Sequence, residues 1–195
     1  MKRILLLVCF LMVGTASAGV MLEPYVGYVL GGNENEVAGT SQHDVDYSSP
    51  MLGARLGYRA LGLMAGFEYN MLSTSWEDQV APIAADVDYK HSNMGIYVGY
   101  NFPIMLRVWG TYYFSSKAEV DSGSSAGDEY TGNGKVIGVG FTGLPFLSIN
   151  LEYRTFTYDE YEDISAGTTS SLSGVSEVSG KEIAIGISIP FELPL

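Results

Sequence analysis

The sequence predicts an all-β fold, an eight-stranded antiparallel up-and-down transmembrane β-barrel. Three observations predict it. Eight stretches alternate apolar with small or polar residues at period two, the spacing at which successive strand side chains face opposite ways. Their connections alternate strictly, three short and four long, which puts the short ones at one end and the long ones at the other. Each stretch runs to about ten residues, close to the roughly 9–11 that a tilted strand needs to cross a bilayer.

The first strand covers about Val20–Leu30. Leu22, Pro24, Val26, Tyr28 and Leu30 form one face; Glu23, Tyr25, Gly27 and Val29 form the other. A long connection, about Gly31–Ser49, leads to the second strand, about Met51–Arg59. There Leu52, Ala54, Leu56 and Tyr58 oppose Gly53, Arg55, Gly57 and Arg59. A tight turn near Ala60–Gly62 precedes the third strand, Leu63–Met71, with Leu63, Ala65, Phe67, Tyr69 and Met71 against Met64, Gly66, Glu68 and Asn70. The second long connection is about Ser73–Asp88.

The fourth strand, Tyr89–Tyr100, sets Met94, Ile96, Val98 and Tyr100 against Asn93, Gly95, Tyr97 and Gly99. Asn101-Phe102-Pro103 turns into the fifth, Ile104–Lys117, where Leu106, Val108, Tyr112 and Phe114 oppose Arg107, Trp109, Thr111 and Tyr113. The third long connection, about Ala118–Thr131, is rich in Gly and Ser. The sixth strand, about Gly134–Phe141, has Ile137, Val139 and Phe141 opposite Gly138 and Gly140. Gly143-Leu144-Pro145 leads to the seventh, Phe146–Tyr158, with Leu147, Ile149, Leu151 and Tyr153 against Ser148, Asn150, Glu152 and Arg154. A fourth long connection, about Asp159–Glu177, precedes the last strand. There isoleucine recurs at 183, 185, 187 and 189, and Phe191 continues the row. β-branched residues at this spacing favour extended backbone.

Composition narrows the function classes. The chain has 195 residues, one domain's worth, and a formal net charge of −12. Charged residues make up 16%, against about 25% in a typical soluble domain. The acidic surplus argues against nucleic acid, which is bound through Lys and Arg. Residues 1–18 read as a secretory signal: Lys2 and Arg3, an apolar run from Ile4 to Val13, and an Ala16-Ser17-Ala18 cleavage site. The domain therefore spans 19–195. Cys9, the only cysteine, lies in the signal. The mature chain then has no thiol for a disulfide, a metal or nucleophilic catalysis.

Alternation alone fits either a soluble barrel with its apolar face inward or a membrane barrel with that face on lipid. Three features favour lipid. The other face is mostly Gly, Ser, Asn and Tyr, and small residues suit the narrow inside of an eight-stranded barrel. Aromatics on the apolar face gather near both strand ends, as in interfacial girdles. Tyr58, Tyr100, Phe141 and Phe191 fall near the short turns; Tyr28, Tyr69, Tyr112 and Phe114 fall toward the long loops. Third, the polar face carries Glu23, Glu68, Glu152 and Glu182 with Arg55, Arg59, Arg107 and Arg154. Equal numbers of Glu and Arg are what a closed polar interior needs, because a buried charge is costly unless paired. These eight residues are the expected interior charge network.

The long connections hold 17 of the 22 acidic residues, among them Glu34, Asp46, Asp88, Asp128, Glu162 and Glu177, and no Lys or Arg. Lys90, Lys135 and Lys181 sit at the loop-side strand ends and point outward by parity. They are expected at headgroup height, either touching anionic lipopolysaccharide groups or simply snorkelling. The carboxylates form no spaced calcium-loop pattern, so a solvated surface is expected over a cation site. No cofactor is expected.

The chain carries only two histidines, His43 in the first loop and His91 at the start of the fourth strand. His91-Ser92-Asn93 is similar to a stretch in outer-membrane lipid A deacylases. Adjacent strand residues face opposite sides, however, so His91 and Ser92 cannot form a nucleophile–base pair.

The succession Glu23-Pro24-Tyr25-Val26-Gly27-Tyr28, Gly53-Ala54-Arg55-Leu56-Gly57-Tyr58, Gly66-Phe67-Glu68-Tyr69-Asn70 and Asn150-Leu151-Glu152-Tyr153-Arg154 resembles the small outer-membrane β-barrel family of OmpA/OmpX type. The resemblance covers essentially the whole mature chain. It implies a bacterial outer-membrane location, lipid and lipopolysaccharide as surroundings, a monomer, and delivery by the barrel-insertion machinery. That machinery favours a terminal aromatic, and here Phe191 is followed by Glu192-Leu193-Pro194-Leu195. The peptidoglycan-binding domain of OmpA-like proteins is not expected. Members of that family serve as membrane anchors, adhesins, narrow pores or, rarely, lipid-modifying enzymes. An interior that the Arg and Glu side chains fill favours a non-enzymatic surface barrel serving envelope integrity or adhesion. The alternative is a narrow channel for small solutes, and a more remote one is a lipid A-modifying enzyme.

Overall fold

The computed structural model describes residues 18–37, 40–76, 87–122, 125–172 and 176–194. The predicted signal segment before Ala18, the middle of the second long connection and Leu195 lie outside them. So do the side chains of Glu34, His43, Asp46 and Glu177.

Strands β1 (Gly19–Val37), β2 (Thr40–Ala60), β3 (Leu63–Trp76), β4 (Val87–Phe102), β5 (Leu106–Val120), β6 (Glu129–Leu144) and β7 (Leu147–Asp163) each pair antiparallel with the next. A short β8 (Thr168–Ser171) folds back on the far end of β7. The last stave is β9 (Ser176–Ser188), continued by β10 (Phe191–Pro194). β9 pairs with both β7 and β1, which closes an eight-stranded barrel.

The closing seam has one interruption. Proline lacks the N–H that a ladder needs, so pairing lapses at Ile189–Pro190. Ile189 N donates to Pro24 O at 3.0 Å. The register is the same on both sides of the lapse: Tyr25 faces Ser188, and Leu22 faces Phe191. Glu192 and Leu193 therefore belong to the barrel wall, paired with Met21 and Val20.

The strands run longer than hydrophobic alternation indicates. Gly31–Val37 and Thr40–Tyr47 form a paired hairpin where a connection is expected from sequence. The β5–β6 ladder reaches Glu119–Glu129, and β6–β7 reaches Glu129–Glu162. Ladder hydrogen bonds need backbone only, so polar segments continue a sheet without an apolar pattern to mark it.

A bulge at Phe114–Ser115 of β5 reverses parity. Trp109, Thr111 and Tyr113 point inward before it; Ser116, Ala118 and Val120 point inward after it. The extra residue thus turns Ala118 into an apolar cluster with Tyr113, Val136, Phe156 and Tyr158. A second cluster holds Tyr25, Val29, Tyr47, Met51, Leu72 and Ala184. A third, of Met21, Met64 and Tyr97, lies toward the short turns.

The isoleucine row of β9 and the apolar faces of the other staves point outward. Phe67 is 62% exposed, Val98 63% and Ile185 57%, while Glu23 and Arg154 on the opposite face are 0% exposed. The aromatics assigned to the girdles are also on the outer surface; Tyr100 is only partly exposed, packed edge-on to Phe102 at 4.9 Å. Inside, glycine makes room for large side chains. A Cβ on Gly138 would lie 2.2 Å from the Trp109 ring, and one on Gly53 would lie 2.3 Å from Tyr25.

Candidate functional site

The inward alternation of six staves converges on one buried polar group. It has three tiers along the barrel axis. In the tier nearest the short turns, Arg107 of β5 reaches across to Glu23 of β1. Its Nη1 donates to Oε2 at 2.7 Å and its Nη2 to Oε1 at 2.6 Å. Nη2 also donates to Asn150 Oδ1 at 2.8 Å, and Asn150 Nδ2 donates to Ser188 Oγ at 2.8 Å. The two-pronged contact uses the fork geometry that guanidinium and carboxylate share.

The middle tier is Arg55 of β2. Its Nη2 donates to Glu152 Oε1 at 2.5 Å and to Glu68 Oε1 at 3.2 Å, and its Nη1 reaches Glu23 Oε1 at 3.5 Å. The guanidinium carbon lies 4.6 Å from the ring centres of both Tyr25 and Trp109. Cation–π attraction strengthens when, as here, water is excluded. In the outer tier Arg154 donates to Glu182 Oε2 at 3.1 Å and to Tyr113 OH at 2.9 Å, with its Nε 3.3 Å from Glu152 Oε2. Tyr47 OH donates to Glu182 Oε1.

Seven of the eight residues expected inside meet in this way. Arg59 does not. It sits at the short-turn mouth, 23% exposed, and pairs with Glu192 of β10. The tail residue that departs from a terminal aromatic thus supplies its partner. The buried group then holds four carboxylates against three guanidiniums, not equal numbers. Neutral donors meet the surplus. Glu68 accepts from Tyr25 OH at 2.7 Å, Tyr113 OH at 3.1 Å and Thr111 Oγ1 at 2.7 Å. Glu68 thus has three hydroxyl donors beside its contact with Arg55.

Charge counting alone does not find these hydroxyls and amides. Asn70 donates to Tyr113 OH at 2.8 Å, Asn93 to Asn70 at 2.9 Å, and Ser116 to Asn93 at 2.6 Å. The signal was Asn and Tyr on the inward face. Ser116, beyond the bulge, was not readable by parity.

His91 is buried inside, with its Nδ1 3.4 Å from Tyr158 OH and its ring 6.1 Å from that of Tyr47. Ser92 lies on the alternate face. His43 pairs with Asn35 in the outer hairpin. Among the described residues no group of three or more His, Cys, Asp or Glu is placed to hold a metal ion.

At the long-loop end Lys90, Lys135 and Lys181 are exposed on the outer surface. Lys90 Nζ lies 2.5 Å from Asp121 Oδ1, which favours its charged form. Lys181 lines a cleft of about 580 Å³ with Leu30, Tyr47, Ser48, Glu182 and Ile183. Several loop carboxylates are occupied internally. Asp128 accepts from Tyr161 OH at 2.6 Å and Ile164 N at 3.1 Å. That contact pushes the Tyr161 hydroxyl well above its ordinary value. Asp163 accepts from Ser165 Oγ at 2.7 Å and Ala166 N at 2.8 Å, which holds its pKa below the ordinary carboxylate value. Glu129 accepts from Lys117 at 2.6 Å.

Comparison with known proteins bears on this architecture. The family described as outer membrane protein beta-barrel domain matches residues 4–191, and the chain belongs to that family. Membership places it in the bacterial outer membrane. No curated protein matches the chain in sequence. Among solved structures it is similar to Neisserial surface protein A, 18% identical over 86% of this chain and 97% of that one, with a TM-score of 0.52. It is also similar to Ail, the attachment invasion locus protein of Yersinia pestis, 16% identical over 89% of this chain and 99% of Ail, TM-score 0.54. OprG from Pseudomonas aeruginosa aligns at 12% identity over 91% and 98%, TM-score 0.48. At such identities the likeness to the first two is one of fold.

Proposed function

We propose that this outer-membrane barrel is a plugged, non-enzymatic surface protein that presents acidic hairpins to the exterior, for envelope integrity or adhesion. The observation that supports this reading is the filled interior. Arg55, Glu68, Arg107, Glu152 and Arg154 cross the lumen at successive heights, and all are at most 4% exposed. Aromatic rings pack against their guanidiniums. An eight-stranded barrel leaves an interior that side chains just fill. Moving a solute through it requires breaking buried ion pairs, each costing about 3–5 kcal/mol once a partner is removed.

The long connections carry 17 carboxylates and no Lys or Arg. Such a surface favours a basic partner and repels a sulfated polysaccharide. Lys90, Lys135 and Lys181 then form a basic belt beneath it, at the height of anionic lipopolysaccharide groups; Lys90 shares its charge with Asp121. Delivery by the barrel-insertion machinery, signal cleavage after Ala18 and a monomeric state belong to the same reading.

Planar-bilayer conductance and whole-cell binding test it together. The intact barrel should show no steady open state. Cells displaying it should lose binding to a cationic surface when the 31–47 hairpin is shortened. A reproducible open pore overturns the plug, and unchanged binding after loop shortening overturns the surface role.

A further inference from the structure

The short-turn mouth holds a second polar site, away from the loops and adjoining the ion network at Arg107. A cavity of about 300 Å³ opens there, and its polar lining is Arg59, Asn101, Arg107, Thr142 and Ser148. Among the described residues no carboxylate lines it. Two of its lining residues carry a buried group with no hydrogen-bond partner among the described residues: Ser148, 1% exposed, through Oγ, and Arg107, 2% exposed, through Nε. Arg107 Nε–H can only donate, and the Ser148 hydroxyl can donate. Buried polar groups in native proteins are nearly always satisfied, so two orphans lining one cavity call for an acceptor in it. The outer lip of the cavity is apolar. Leu144 and Phe146 are 42% and 86% exposed, and Phe146 is held there at φ 62°.

We propose that this mouth binds the anionic head of an amphiphile, a phosphate or carboxylate seated on Ser148, Arg59 and the outer edge of Arg107, with its apolar part against Leu144 and Phe146. Oxyanions match the planar donor fork of arginine. The volume is at the small end for ligand sites and suits a headgroup, not a whole lipid. The apolar lip continues the lipid-facing surface, on which Phe141 and Phe191 are exposed. Glu192 is the intramolecular rival, since it already pairs with Arg59. The site goes beyond the surface role and does not depend on it.

The test is a titration of the isotope-labelled, folded barrel in uncharged detergent micelles, read from backbone amide shifts. Three probes are added: dihexanoyl phosphatidate, inorganic phosphate and dihexanoylglycerol. Phosphatidate should give saturable shifts at Arg59, Thr142 and Ser148, phosphate should bind about tenfold more weakly, and the neutral glyceride should do nothing. Ser148→Ala and Arg59→Gln should each weaken phosphatidate about fivefold, the worth of roughly one hydrogen bond. Glu192→Gln should tighten it by a similar factor, because it releases Arg59. Phosphate binding as tightly as phosphatidate assigns the site to a free anion and overturns the amphiphile. Absent shifts, equal shifts with the neutral glyceride, or affinities unmoved by Ser148→Ala and Glu192→Gln overturn the site itself.

Discussion

At the short-turn end the chain reverses in two or three residues, with Leu61, Met105 and Phe146 held at φ of 52°, 62° and 62°. At the long-loop end the same strands run on as acidic ladders. Left-handed backbone costs an L-residue roughly 1–2 kcal/mol, and glycine or asparagine is the usual occupant. Three bulky apolar residues there mean that something else favours them. Their surroundings supply it: Leu61, Ile104, Met105 and Phe146 are all more than half exposed at the edge of the lipid-facing band. One end is thus specified by the solvent it touches, the other by backbone pairing and carboxylate caps. Between them lies an interior specified by charge.

The largest expected effect breaks that interior. Arg55 is the shared partner of Glu23, Glu68 and Glu152. Arg55→Met removes a buried cation and leaves carboxylates facing one another, at a cost of about 3–5 kcal/mol. Urea unfolding followed by gel mobility reads this. Adding Glu152→Gln should recover part of the loss. A single-variant effect below about 1 kcal/mol would mean that water already screens the group.

The second prediction moves to the outer surface of the same staves. Ile185 pairs with Tyr28 and Leu151 on its two sides and faces outward. Ile185→Arg should cost about 2–4 kcal/mol in a bilayer, the midplane value for a lipid-facing cation. The same variant in a detergent micelle should lose much less. Equal losses in both would place Ile185 away from the hydrocarbon.

The contrast between the two ends also explains what the sequence could and could not reveal. Every stave was legible where one face is apolar, because Ile183, Ile185 and Ile187 or Leu52, Ala54 and Leu56 mark period two without help. The outer hairpins were not, because the backbone ladder of Gly31–Val37 with Thr40–Tyr47 needs no apolar alternation to mark it. The interior charges were legible by parity as far as parity held. It failed for Ser116, beyond the bulge. It also misjudged Arg59, because nothing in the tail signalled that Glu192 continues the seam past Pro190. The mouth cavity was illegible for the same reason, since it is assembled from Arg59, Asn101, Thr142 and Ser148 on four different staves or their ends.

The third prediction sharpens the short-turn end. Leu61 and Gly62 both have positive φ, the geometry of a two-residue type I′ hairpin, for which Asn-Gly is the favoured pair. In detergent Leu61→Asn should stabilise the barrel by about 1 kcal/mol through relief of the left-handed leucine. In a lipid bilayer the gain should shrink, because Leu61 gives up its contact with the interface. A gain of the same size in both media would mean that lipid does not hold this turn.

The smallest effect probes the opposite end. Asp163 is partly exposed, and its carboxylate accepts from Ser165 Oγ and Ala166 N. Those contacts lower its pKa from the ordinary 3.8. A depressed folded value means that the unfolded turn binds protons more readily. The contribution is therefore fully present above the ordinary value and is lost as pH falls through the folded one. The Ala166 amide proton should shift upfield over that acid range as its acceptor is neutralised. Asp163→Asn keeps a carbonyl acceptor but removes the titration, so the same amide should stay flat. If the wild-type amide is also flat, or titrates at the ordinary carboxylate value, the carboxylate does not cap the turn. The turn after Asp163 would then be held without its side chain.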